Sequence, residues 1–256
     1  MTSTRWALVT GATAGIGESF TRLLAAKGYN VALVARDEAR LHERAAGLRE
    51  KFGVQTFVLP ADLSTNEGCA SVEEYIKTYE IDVLINNAGF GINKAFSASD
   101  LVAEQQMFDV LVRTPMRLMH TVIPGMKKRN SGIIINVSSV ASFIAGGTYS
   151  ASKSYLTVLS ESLNTELASS GVKVSALCPG FTRTEFHERG RMKMGGLPKF
   201  MWLNSDKLVE QSWIDAVANK PVSIPGWQYK LLVAVISTVP RKFVRQIGMN
   251  VRKKQR

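Results

Sequence analysis

Tyr149 and Lys153 stand four positions apart in TYSASKSYL, residues 148–156, with only small residues between them. On a helix that spacing puts both side chains on one face, one turn apart, at roughly 5–6 Å between Cβ atoms. A phenol ordinarily ionises near pH ~10, and a fixed ammonium beside it favours the phenolate, bringing proton exchange toward neutral conditions. The pair is therefore raw material for a general acid or base. Taken alone, Y-x-x-x-K reads first as an ordinary surface pair on a small-residue helix, so its meaning rests on what the rest of the chain sets around it.

A second chemistry lies near the N-terminus. TGATAGIG, Thr10 to Gly17, carries glycines at 11, 15 and 17. Gly11 suits a tight turn, Gly15 lets the backbone approach a pyrophosphate, and a helix opening there offers unpaired N–H groups to an anion. The same residues would also make a plain strand-to-helix turn. Arg36, where the second apolar run ends, suits a ribose 2′-phosphate and points to NADP, whereas an acid there would hold a 2′-hydroxyl. Its alternative is the solvated start of a helix, with Asp37 adjacent. Asp62, in ADLS, can accept from an adenine amino group or cap the following helix.

These groups need a frame. Continuous apolar, β-branched runs recur as WALVT from Trp6, NVALVA from Asn30, QTFVLPA from Gln55, IDVLIN from Ile81, GIIINVSS from Gly132 and KVSALCPG from Lys173. Such runs predict strands buried on both faces. Helical patterns lie between them: ESFTRLLAAKG, DEARLHERAAGLREKF and the long segment from Asp100 to Lys128. The alternation predicts an α/β fold, a doubly wound parallel sheet with helices on both faces, ligand sites lying outside the carboxyl ends of the strands where the strand order reverses. The first glycine loop and NNAG, Asn86 to Gly89, should meet there.

The bulk composition narrows the function classes. At 256 residues, 45% hydrophobic and 21% charged, with no linker-like stretch, one domain is expected. Cys69 and Cys178 have no metal-ligand spacing and only three histidines exist, so neither a metal site nor a histidine triad is expected. RWALVTGA is too short for a signal-peptide core, and LLVAVIST from Leu231 falls well short of the ~20 residues that span a bilayer, so a cytoplasmic protein is expected. Of the net charge of +11, seven Lys/Arg with no acid fall in residues 241–256, leaving +4 elsewhere. Charge confined to one end, with no reading module, argues against nucleic acid. It permits a weak membrane-surface contact. From Trp227 onward, Leu231, Leu232, Val235, Ile236, Phe243, Val244 and Ile247 read as one apolar face opposed by basic residues, either packed on the domain or a second subunit, or lying on an anionic membrane.

With TGATAGIG, NNAG, Ser138 and Ser139, YSASK and PGFTRT in this order, the chain resembles the short-chain dehydrogenase/reductase family over nearly its full length. The resemblance implies a single Rossmann-type domain over residues 1–256 that binds NADP(H) and transfers hydride between the nicotinamide and a carbonyl or alcohol carbon. It implies that Tyr149 gives or takes the proton, that Lys153 lowers the Tyr149 pKa and holds the nicotinamide ribose, and that Ser139 orients the substrate oxygen. Cofactor contacts are implied from Gly11, Thr13, Gly15, Ile16, Gly17, Arg36, Asp62 and Leu63. Asn87, Ala88, Gly89, Pro179, Gly180, Thr182 and Thr184 join them, with Thr184 and the backbone after Pro179 at the carboxamide. ARDEARL, LCPGFTRTEF and PGWQYKLL are similar to an NADP-linked subgroup that reduces hydrophobic carbonyls. A homodimer or homotetramer is also implied.

The segment 185–204 takes the place of the family's substrate lid. Its Met192, Met194, Phe200, Met201 and Trp202 suit an apolar pocket or ordinary packing, with Gly195 and Gly196 as hinge. Two departures matter. Leu111 stands where the family has an asparagine that bends a helix and holds a water, which puts the proton relay in doubt. Ser139 to Tyr149 spans ten positions where the family has thirteen, so the site wall at FIAGGT is expected to be altered or collapsed. A catalytically silent NADP(H)-binding sensor or scaffold is the alternative these departures raise.

Overall fold

The computed structural model describes residues 5–185, 198–240 and 242–246. Six strands form at the apolar runs: β1 (Trp6–Thr10), β2 (Asn30–Ala35), β3 (Thr56–Pro60), β4 (Val83–Asn86), β5 (Gly132–Val137) and β6 (Val172–Leu177). A two-residue β7 (Val222–Ser223) joins them; it is too short to leave a periodic signature. All pair in parallel in the order β3-β2-β1-β4-β5-β6-β7. The order reverses between β1 and β4, where Ala7 is level with Val83 and Val9 with Ile85.

The helices are α1 (Gly15–Ala26), α2 (Glu38–Phe52), α3 (Asn66–Thr78), α4 (Leu101–Phe108), α5 (Thr114–Lys128), α6 (Thr148–Glu166), α7 (Ser205–Val217) and α8 (Trp227–Thr238). Strand alternation divides the core. Val9 and Ile85 face Phe20, Leu24, Leu41 and Trp213 of α1, α2 and α7, whereas Leu8 and Leu84 face Val72, Leu118 and Leu156 of α3, α5 and α6. β1, β2, β4, β5 and β6 are therefore covered on both faces, which explains their unbroken hydrophobicity, whereas β3, expected from its sequence to be buried on both faces, is an edge strand that leaves Phe57 and Pro60 exposed.

The segment from Asp100 to Lys128 is not one regular helix. A π-helical turn, Asp109–Arg113, separates α4 from α5. Pro115 sits in the first turn of α5, and it has no N–H to return to the Leu111 carbonyl. The bend that an asparagine would impose is thus retained here with a leucine at position 111.

Candidate active site

The site begins where β1 and β4 end. Thr10 Oγ1 accepts from the N–H groups of Asn87 at 2.9 Å and Ala88 at 3.0 Å, while Asn87 Nδ2 donates to the carbonyls of Thr10 at 2.9 Å and Gly11 at 3.1 Å. Asn87 thus staples the two loops together. A Cβ on Gly17 would lie 2.2 Å from the Gly11 carbonyl oxygen and 2.4 Å from Asn87 Nδ2, so no other residue lets the loop close this tightly. The N-cap of α1 is Ala14, whose side chain makes no capping bond. The first-turn N–H groups are therefore left for an anion, and Gly11, Thr13, Gly15, Ile16 and Gly17 form a cradle that fits a dinucleotide pyrophosphate.

Arg36 is exposed one residue beyond β2, and Asp37 caps α2 by accepting from Arg40 N at 3.0 Å. Leaving the guanidinium in solvent suits a 2′-phosphate ligand. Asp62 does not cap α3. Its Oδ1 instead accepts from Ser64 N at 3.0 Å and Ser64 Oγ at 2.8 Å, while Thr65 caps that helix through Gly68 N. The Asp62 carboxyl is pushed up by burial, but the Ser64 bonds and the nearby Arg36 charge outweigh this and hold it below its ordinary value. Leu63 is buried, and its carbonyl accepts from Thr114 Oγ1 at 2.8 Å.

The peptide after β6 crosses the same opening. Thr184 lies against Gly15, its Cβ 2.9 Å from where a Gly15 Cβ would stand. Thr182 turns inward, donating to the Gly180 carbonyl at 3.0 Å, and the Pro179 carbonyl accepts from Val140 N at 3.0 Å. Arg40 forms two bonds to Glu185, of 2.9 and 3.3 Å, tying α2 to the start of the lid segment. Met192, Met194, Gly195 and Gly196 lie outside the described residues. Of the others, Phe200 is exposed and Trp202 packs on Phe181 at 6.1 Å between ring centroids.

Ser139, Tyr149 and Lys153 come together beside this opening. Ser139 hydrogen-bonds Tyr149, so the shortened loop does not carry the serine away from the phenol. Ser139 Oγ also accepts from Ala141 N at 3.1 Å, as the N-cap of a short 3₁₀ turn over Val140–Phe143 that takes up the missing length. The Tyr149 ring packs against the buried cluster of Met107, Leu111 and Val112, which Phe90 and Ile92 also flank. Lys153, 4% exposed, places Nζ 5.8 Å from the centre of that ring and donates to the Val137 carbonyl at 2.6 Å.

The electrostatics differ from the expectation that Lys153 depresses the Tyr149 pKa. Burial pushes the phenol up to about 12, countered in part by the Ser139 bond. Lys153 is itself pushed down to about 8, chiefly by burial, with Cys178 acting in the opposite sense. In so dry a setting the cost of removing each charge from water exceeds what the pair returns across that separation. Tyr149 is accordingly held in its neutral, proton-donating form.

Leu111, 1% exposed, closes the inner side of the site. Its Cδ2 is 2.7 Å from the point a Gly89 Cβ would occupy, and Lys153 Nζ is 3.9 Å from that point. Leu111 and Lys153 thus both abut Gly89, and the leucine offers no polar group there. If Tyr149 and Lys153 act as an acid–base pair, Leu111→Asn is expected to raise turnover about tenfold, a fraction of the ~10²–10⁴ that full acid–base catalysis contributes. It should also lower Tm, since a buried amide replaces apolar packing. Steady-state kcat is the measurement, and an unchanged kcat in a folded variant would show that the leucine does not limit the relay.

Several positioning residues carry no motif. Ser138 Oγ donates to the Lys153 carbonyl at 2.9 Å and lies 2.6 Å from Thr157 Oγ1. Asn86 Nδ2 donates to Asn136 Oδ1 at 2.8 Å, and Asn136 Nδ2 to Ser160 Oγ at 2.8 Å. These buried bonds peg α6 to β4 and β5 and so fix Tyr149 and Lys153. Small polar residues at 157 and 160, one and two turns past Lys153, were the only sequence sign of them. Among the described residues no cluster of His, Cys, Asp and Glu could hold a metal, and both cysteines are buried thiols.

Comparison with known proteins gives concordant likenesses. Very-long-chain 3-oxoacyl-CoA reductase of Anas platyrhynchos is 28% identical over 98% of this chain and 83% of that protein. Inactive hydroxysteroid dehydrogenase-like protein 1 of Homo sapiens is 32% identical over 70% of this chain and 56% of that protein. The short-chain dehydrogenase of Sphingobium yanoikuyae, solved in complex with NADPH, is 31% identical, covers 92% of this chain and 96% of its own, and superposes with a TM-score of 0.83. The family described as short chain dehydrogenase matches residues 5–194, a stretch that takes in both glycine loops and the Tyr149 helix; the chain belongs to that family.

Proposed function

We propose that the protein is an NADPH-dependent reductase of hydrophobic carbonyl compounds. The observation that carries this reading is a half-buried neutral phenol, Tyr149, hydrogen-bonded to Ser139 at the edge of the dinucleotide cradle. When bound, NADPH supplies hydride to the carbonyl carbon. Ser139 and Tyr149 would both donate toward the substrate oxygen, so the oxygen that gains charge meets two positioned hydroxyls. Tyr149 then gives its proton to that oxygen. Lys153 adds positive charge behind the phenol, and Phe90, Ile92 and Met107 exclude water and suit an apolar substrate. The Sphingobium complex with NADPH and the reductase named for very-long-chain 3-oxoacyl-CoA support cofactor and substrate class. Following NADPH oxidation with hydrophobic ketones, aldehydes and 3-oxoacyl thioesters tests the reading; no oxidation across that panel would sink it.

The cofactor preference gives its own expectation. Arg36 should make NADPH bind more tightly than NADH through a charge-assisted contact, and Arg36→Asp should weaken NADPH about 10–100-fold, the equivalent of the ~1.5–3 kcal/mol of such a bond. Calorimetric titration with both cofactors decides it, and equal affinities in the parent would remove Arg36 from the role. A silent NADP(H)-binding protein is the second reading. Leu111 beside Lys153 favours it, as does the human relative whose name calls it inactive. Cofactor binding without turnover on the whole panel is its signature. For assembly we take α4, α5 and α6 as the contact face of a homodimer or homotetramer, because Leu101, Val102, Phe108, Met116, Tyr155 and Val158 are exposed on them, and Phe108 and Tyr155 line an open cavity of about 710 Å³.

A further inference from the structure

We propose that the outer face of α8 docks the protein onto an anionic lipid surface. The helix is apolar on two opposite sides. Tyr229, Val233 and Ile236, spaced i, i+4, i+7, are buried against the domain. Trp227, Leu231 and Val235, spaced i, i+4, i+8, point the other way and are 72%, 59% and 51% exposed. The single apolar face anticipated from Trp227 onward is therefore split: Ile236 and Val244 pack inward, while Leu231, Leu232, Val235 and Phe243 stay in solvent. Ile247 lies outside the described residues.

Charge identifies the occupant. From Trp227 to Arg256 the chain carries eight Lys/Arg and no Asp or Glu. Lys230 on the helix and Lys242 and Arg245 just beyond it are exposed, and the remaining five cations lie at Arg241 and in residues 252–256. A second copy on this face would bring two sets of like charge together. An anionic bilayer instead neutralises them while taking up a tryptophan and aliphatic side chains at its interface. Among the described residues no helix is long and apolar enough to cross a membrane, so the contact is with the surface.

The inner side of the same helix reaches the active site. Tyr229 OH accepts from Phe181 N at 3.0 Å and donates to the Met201 carbonyl at 2.5 Å, gripping the peptide that leaves Pro179 and Gly180. A docked α8 would thus hold the lipid about one helix diameter, ~10 Å, from the wall of the site. The docking itself does not rest on the reductase reading.

The test is sedimentation of the full chain with vesicles of phosphatidylcholine alone and of equal parts phosphatidylcholine and phosphatidylserine. Binding is expected only with the mixed vesicles, with a blue shift in emission that Trp227→Phe lacks, and added salt should release the protein. Lys230→Gln and Lys242→Gln should each lower partitioning about fivefold, the equivalent of ~1 kcal/mol per cation. Leu231→Ser with Val235→Ser should lower it at least about tenfold, from the apolar area withdrawn. All these side chains are exposed, so an unchanged Tm shows that each variant remains folded. Equal binding to neutral vesicles, no binding to either, or indifference to the serine pair would overturn the proposal. So would a concentration-dependent dimer that Leu231→Ser dissolves, since the face would then belong to a second copy.

Discussion

Tyr149→Phe is expected to lower carbonyl reduction by about 10²–10⁴-fold while leaving NADPH affinity and Tm close to the parent values. The substitution removes one hydroxyl and keeps the ring, so the packing against Met107, Leu111 and Val112 survives. The cofactor cradle is built elsewhere, from Thr10, Gly11, Gly17 and Asn87. Ser139 loses a partner but stays capped to Ala141 N, so the loop holds. What disappears is the proton for the substrate oxygen. Because burial holds the phenol at about 12, Tyr149 keeps its proton through the neutral and mildly alkaline range, and the parent rate should show no inflection from this group below about pH 10. A rate loss with unchanged NADPH titration is the required pair of results. Near-parental turnover by Tyr149→Phe would move the acid role to another group.

Fold and cradle were legible because their signals are local. Continuous β-branched runs mark the strands, all but the edge strand β3 buried on both faces, and the glycines of TGATAGIG mark a loop that admits no Cβ at position 17. The meeting of that loop with NNAG followed from strand order, and the Thr10–Asn87 bonds show how it is secured. Three features depended on contacts between distant segments. The loop after Ser139 looked too short until the 3₁₀ turn at Val140–Phe143 was seen to aim the serine. The tyrosine's titration looked set by its neighbour in sequence, yet desolvation by the whole pocket decides it. The apolar end of the chain read as one face, and only packing reveals that α8 has two.

The second large effect lies in how stability depends on pH, with Lys153→Met as the comparison. Lys153 falls from its ordinary 10.5 to about 8 in the folded chain, mainly because burial disfavours the ammonium. Below about pH 8 both folded and unfolded chains carry the charge, and the folded state bears the full penalty, about 3 kcal/mol at 1.36 kcal/mol per unit of pKa. As pH rises from about 8 toward 10.5 the folded residue loses its proton first. The unfolded chain then binds more protons, and stability rises with pH. Tyr149 acts in the opposite sense, but its contribution is intact below about pH 10 and is lost only as pH rises toward about 12, so the two windows separate. Between pH ~7 and ~9.5 the parent should gain about 2 kcal/mol relative to Lys153→Met, since titrations elsewhere cancel in the comparison. The Val137 carbonyl loses its donor in the variant, which shifts absolute stability and leaves the slope as the readout. Urea unfolding at both pH values gives that slope, and parallel pH dependence in the two proteins would mean that Lys153 titrates normally. In the parent, reduction should weaken as pH passes about 8 and the ammonium behind Tyr149 is lost, whereas Lys153→Met should be slow throughout. The buried charge thus costs stability over the same pH range in which it supports turnover, and no packing change at position 153 can separate the two.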